Sequence, residues 1–235
     1  MFGNIDIQLL LIRILVLTFS LSFHEYAHAR TAYRLGDDTA ALQGRLTMNP
    51  MRHLDPIGSL AFLFAGVGWA RPVPVNPRNF RRDMSMKKGM MLTSLAGPVS
   101  NLLIAFVAQF LLQLTTFIFN ITTTGGLTRT QMTIYSLLVS IFVAFYYSNI
   151  GLAIFNLLPV PPLDGSKVFG SLLPNEYYYK VMRYERYIGM IFLFFVIFFG
   201  NVIGKLLYYI AIPFNYILAK PWQLLFDGLT KLVLG

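Results

Sequence analysis

Three ionisable side chains crowd into five positions at the end of a long apolar run: His24, Glu25 and His28, within SFHEYAHAR at residues 22–30. The apolar run predicts a helix, and residues four apart on a helix share a face. Both imidazoles can then reach one ion, with Glu25 turned to its side. This is the spacing with which two histidines hold Zn2+ and a neighbouring glutamate acts as general base toward water. Each ionisable group within a membrane helix costs about 2.5–3.5 kcal/mol on insertion scales, so the cluster calls for a compensating partner, and a metal ion is one. The plainer alternative is that His28, Arg30 and Arg34 only mark the interfacial end of the helix.

A catalytic zinc takes three protein ligands and keeps one position open. The chain has no cysteine and three histidines, so the third ligand is His53 or an oxygen donor. Asp164 stands out in NLLPVPPLDGSKV, residues 156–168, where three prolines turn the chain after an apolar run. Taken alone, Leu163-Asp164-Gly165 also reads as an ordinary turn. His53, in NPMRHLDPIG, either approaches the same site or is a loop histidine.

These residues need elements to hold them, and the composition says where those elements lie. The chain is 56% hydrophobic with mean hydropathy +0.60, well beyond a soluble domain. The runs 7–23, 89–119, 132–158 and 188–204 reach or approach the ~20 apolar residues that cross a bilayer. The first has no basic residues before it and no small-residue cleavage site after it, so it reads as a retained helix. The net charge of +9 reflects loop bias and does not point to nucleic acid. Segment 71–88 carries Arg71, Arg78, Arg81, Arg82, Lys87 and Lys88, whereas 119–131 carries only Arg129, which places the former in the cytoplasm. Residues 29–56 and 159–187 are basic as well, and take the same side.

The stretch 57–70, fourteen residues with three glycines, joins two segments on one side of the membrane. A re-entrant dip is therefore expected there. Pro213, Lys220, Pro221 and Asp227 interrupt residues 205–235, which read as an interfacial helix or a further short span. Val73 and Val75 alternate with Pro72, Pro74 and Pro77, predicting an extended segment that pairs with an unwound substrate by strand addition, or else a stiff linker. The expected fold is an all-α polytopic membrane protein with about 4–6 transmembrane helices, a re-entrant segment and a small extended element near the site. One domain is expected over 1–235, with a core at about 7–170 and C-terminal helices at about 185–235.

His24-Glu25-Tyr26-Ala27-His28, joined to NLLPVPPLDG at 156–165, resembles the paired signature of the site-2 protease family, zinc metalloproteases that cut within membranes. In SLAGPVSN, Gly97 and Asn101 fit that family's G-x-x-x-N pattern. GRLTMNPMRHLDPIG and GWARPVPVNP resemble its compact bacterial subgroup without PDZ or CBS domains. The resemblance covers residues 7–170 and does not place 205–235. It implies one Zn2+ on His24, His28 and Asp164, with Glu25 as general base. It also implies that Asn156 orients substrate or stabilises the oxyanion; an interhelical hydrogen bond is the alternative. For Gly97 and Asn101 the alternative is close helix packing. The implied activity is endopeptidase cleavage of membrane-spanning proteins near the cytoplasmic side, by a multi-pass protein of the bacterial inner membrane. Two rivals stand beside it. A metal-ion or proton transporter would also bury His and Asp, but its ionisable groups should step across the bilayer. A proteolytically silent homologue that binds membrane proteins would not need the full set of four.

Overall fold

Asp6 starts the first helix by accepting the Leu9 N–H at 3.1 Å, and α1 then runs over Ile7–Arg34. The computed structural model describes residues 6–56, 58, 70–122, 126 and 128–234. Beyond α1 it holds α2 (Thr39–Leu42), α3 (Met86–Thr122), α4 (Arg129–Asn156), α5 (Asp164–Gly170), α6 (Asn175–Arg183), α7 (Glu185–Phe198) and α8 (Gly200–Leu234). A capping box opens α4, with Thr128 and Gln131 each accepting the other's backbone N–H. Among the described residues there is no strand, only an antiparallel bridge between Leu54 and Ala70. The fold is the all-α polytopic membrane architecture expected from the sequence, with α1, α3, α4 and α8 long and apolar enough to cross a bilayer.

The fourth crossing differs from the expectation. The run 188–204 is divided at Phe199, leaving α7 with 14 residues, about 21 Å at 1.5 Å per residue and short of a ~30 Å hydrocarbon core. The long helix is α8, which passes through Pro213 and Pro221 without ending. Prolines persist in membrane helices when neighbours absorb the disturbed backbone, and α8 lies against such neighbours. Trp222 packs on Phe106 and Phe110 and donates to the Phe106 carbonyl at 3.1 Å, while the Tyr146 hydroxyl donates to the Asn215 carbonyl. The dip expected at 57–70 lies outside the described residues except for Gly58 and Ala70.

Buried Ala105 and Ala108 of α3 face Tyr146, Ile150 and Ile154 of α4, with Ile210 and Phe214 of α8 closing the cluster. Small residues there let the helices approach closely, as packing within lipid requires. Leu103, Val107, Phe194 and Tyr208 point outward, where apolar side chains meet acyl chains at no cost.

After α1 the chain is stapled back by one carboxylate. Asp37, fully buried, accepts the Asn76 N–H at 2.7 Å and the Asn79 amide at 3.1 Å. Arg45 grips the start of the same extended segment, donating to the carbonyls of Arg71 at 2.6 Å and Pro72 at 3.3 Å. Residues 71–76 are thereby drawn as a strap past the C-terminal half of α1.

Candidate metal centre and active-site cavity

The i, i+4 spacing on α1 sets the His24 and His28 rings 4.5 Å apart and nearly perpendicular. Asp164 arrives from the first position of α5. The chain reaches it by a turn so tight that a Cβ on Gly165 would stand 2.2 Å from the Leu157 carbonyl oxygen, which explains glycine after the aspartate. Asp164 Oδ2 lies 3.1 Å from His24 Nε2 and 3.2 Å from His28 Nε2. One ligand atom from each residue falls within 4.8 Å of the others.

The other ring nitrogens decide what this trio can bind. His28 Nδ1 sits 2.7 Å from the Thr93 carbonyl oxygen, a group that can only accept, so Nδ1 carries a proton, and in the neutral ring it is Nε2 that keeps the lone pair. His24 Nδ1 faces Asn101 Oδ1 at 2.6 Å and takes the same tautomer. Two imidazole lone pairs and a carboxylate oxygen thus converge on one buried point. With no proton on either Nε2, such a donor set repels itself unless a cation lies between its members, and it matches the nitrogen and oxygen ligands of a catalytic zinc site. The site's residues fit a metal.

Gly97 makes room for the pair. A Cβ on it would fall 2.5 Å from His28 Cε1 and Nε2 and 2.6 Å from His24 Cε1, so α3 presses bare backbone against the ligating edges of both rings. Glu25 is buried beside them and accepts the Val73 N–H on Oε2 at 2.9 Å. His24, Glu25, His28 and Asp164 share a cavity of about 400 Å3 whose wall includes Val73, Val75, Thr93 and Asn156. Asn156 donates to the Leu152 carbonyl at 2.9 Å, leaving its second amide hydrogen uncommitted among the described residues. Among the described residues the buried Thr93 hydroxyl has no hydrogen-bond partner.

Two other candidates stand back from the cavity. Asn101 is fully buried behind His24. His53 is also fully buried, with Nε2 at 2.6 Å from the Thr47 carbonyl and its own carbonyl accepting the Arg71 N–H at 2.7 Å. It ties the strap to the preceding loop. His53→Ala should therefore destabilise the fold by about 2 kcal/mol, from a lost buried hydrogen bond and a cavity, while metal content per folded chain stays unchanged. Thermal unfolding in detergent alongside metal analysis checks this.

Sequence reasoning passed over Thr93, Arg45, Ser20 and Asn149. Thr93 serves His28 through its backbone, which no side-chain pattern signals. Ser20 and Asn149 were visible as polar residues inside apolar runs, the one signal available for them.

The membrane helices and the histidine–histidine–carboxylate trio define a metallopeptidase of the membrane-embedded kind. Residues 12–199 match the model of peptidase family M50, and the chain belongs to that family, the site-2 proteases. It is 43% identical over 182 residues to the Bacillus subtilis (strain 168) protein named "Putative zinc metalloprotease YwhC", covering 76% of this chain and 78% of that one. It is 29% identical over 162 residues to "Putative zinc metalloprotease Rip2" of Mycolicibacterium smegmatis, covering 66% of this chain and 54% of that one. The Rip2 of Mycobacterium tuberculosis H37Rv is 32% identical over 158 residues, covering 66% of this chain and 54% of its own. The alignments thus span about half the length of the mycobacterial proteins. No solved structure matches significantly.

Proposed function

We propose that the chain is a zinc endopeptidase that hydrolyses peptide bonds of membrane-spanning proteins near the cytoplasmic face, with Glu25 as general base. The observation that carries this reading is the convergence of His24 Nε2, His28 Nε2 and Asp164 Oδ2 on one point of a cavity that also holds Glu25. The names of the relatives, zinc metalloproteases, support the choice of metal. Bound there, zinc supplies Lewis acidity to a peptide carbonyl and to water.

The chain's own groups carry the rest. Glu25 accepts a proton as water oxygen bonds to the scissile carbon, then passes it to the departing amide nitrogen as the C–N bond breaks. The Asn156 amide hydrogen left uncommitted among the described residues, on the cavity wall, is a donor suited to the oxyanion. Among the described residues the strap leaves the Val75 N–H and the carbonyls of Val73 and Val75 without partners. An unwound substrate segment can pair with them as an added strand. The basic loops 71–88 and 159–187 favour the cytoplasmic side. A transporter would distribute its ionisable groups across the bilayer, whereas the titratable groups of this trio meet at one end of α1.

The test is cleavage of a model membrane-spanning polypeptide in detergent, before and after chelation and with zinc restored. Chelation should abolish cleavage and zinc restore it. Asp164→Ala should fall from one zinc per chain to well below half and lose cleavage. If that variant binds zinc and cuts like wild type, the site is misassigned; zinc uptake into proteoliposomes without cleavage would turn the reading to transport.

A further inference from the structure

His28 takes its proton position from a backbone carbonyl, which cannot turn round. His24 depends instead on Asn101, and an amide side chain presents an acceptor at one end and a donor at the other. Reversed, Asn101 would offer its NH2 to His24 Nδ1. The proton would then move to Nε2, the atom facing Asp164, and His24 could no longer ligate.

What keeps Asn101 from reversing lies on α4. Its Nδ2 donates to Asn149 Oδ1 at 2.8 Å. Asn149 Nδ2 in turn donates to the Phe145 carbonyl at 2.8 Å and to Ser20 Oγ at 2.8 Å. The hydroxyl of Ser20 can give or take a proton and decides nothing. The Phe145 carbonyl can only accept, so it fixes Asn149, which fixes Asn101, which fixes His24. A second contact from Asn101 Nδ2, to the Ser20 carbonyl at 3.4 Å, has the same sense but is long. Ser20, Asn101 and Asn149 are all fully buried, so no water competes for these positions.

We propose that Asn149 is a positioning residue of the metal centre, holding His24 in its ligating tautomer through the orientation of the Asn101 amide. This rests on the zinc reading of the site and adds a residue from the middle of α4 that touches neither metal nor substrate. Groups that orient a metal-bound histidine typically contribute 10–100-fold in affinity.

The experiment is a double-mutant cycle on zinc affinity, read by competition with a chromogenic chelator in detergent, with no cleavage assay involved. Asn149→Ala should weaken zinc binding at least tenfold. Asn101→Asp replaces the amide with a carboxylate whose two oxygens both accept, so there is no orientation left to enforce. In the Asn101→Asp background Asn149 Oδ1 faces a second acceptor, so adding Asn149→Ala should not weaken zinc binding by more than about threefold. Asn149→Leu, which keeps the branched side-chain skeleton and leaves no cavity, gives the same comparison should the alanine variant fold poorly. An Asn149→Ala protein with wild-type affinity overturns the proposal. So does a tenfold loss that persists in the Asn101→Asp background, because Asn149 would then act through packing alone. A wild type that binds no zinc would instead overturn the reading of the site.

Discussion

Glu25→Gln is expected to hold one zinc per chain, as wild type does, and to cleave a membrane-spanning substrate at no more than about one hundredth of the wild-type rate. Removal of a positioned general base typically costs 10²–10⁴-fold. The separation of binding from chemistry follows from where the carboxylate points. It is not among the trio whose ligand atoms converge, and its Oε2 is committed to the Val73 N–H. Glutamine keeps an acceptor for that N–H and nearly the same volume, so the strap should stay seated and the cavity keep its shape. Only the capacity to take a proton from water disappears. Zinc analysis and cleavage rates on the same preparations check both halves. Wild-type cleavage by the variant would remove Glu25 from the mechanism, and loss of zinc would show that it helps hold the metal.

The parts of the site that the sequence revealed are those whose chemistry depends on side-chain type at short spacing. His24 and His28 declared themselves through a four-residue interval, and Asp164 through the scarcity of carboxylates beside a proline-rich turn. Their mutual distance was not legible, because it depends on how closely α3 lets α1 and α5 approach. The polar support behind the ligands was less visible still. Asn149 is one amide in a run of apolar residues, and nothing in its neighbours says that it faces Asn101 and not lipid. Thr93 acts through a carbonyl that every residue possesses. The fold shows the same division. Hydropathy located α1, α3 and α4, but 188–204 is apolar apart from Asn201, and Gly200-Asn201 just after Phe199 was the one local sign of the break there. In α8 the two prolines looked like interruptions, since the neighbours that let the helix continue through them are distant in sequence.

Gly97→Ala should remove the metal centre while leaving the helices in place. A Cβ at this position would lie 2.5 Å from His28 Cε1 and Nε2 and 2.6 Å from His24 Cε1, about 1 Å inside ordinary carbon contact distances of 3.5–4.0 Å. The rings cannot simply yield. Turning His28 away breaks its bond to the Thr93 carbonyl, and turning His24 breaks its bond to Asn101. Nor can α3 retreat freely, because Asn101, one turn further on, is tied to Asn149 of α4 and Ser20 of α1. The strain falls on the two Nε2 atoms, and metal ligand distances tolerate only about ±0.2 Å. Zinc affinity should therefore fall by at least about 100-fold, beyond the range typical of outer-shell changes, with cleavage lost alongside it. The change is confined to the His24 and His28 rings, so helix content and behaviour in detergent should match wild type. Gly151→Ala is the companion variant: a Cβ there meets nothing within 4 Å, and alanine is favoured over glycine inside a helix by about 1 kcal/mol. It should bind zinc and cleave normally. If both alanine variants retain full zinc, the closeness of α3 to the histidine pair is not what shapes the site; if only Gly97→Ala loses it, the bare backbone at Gly97 is a requirement of the metal centre.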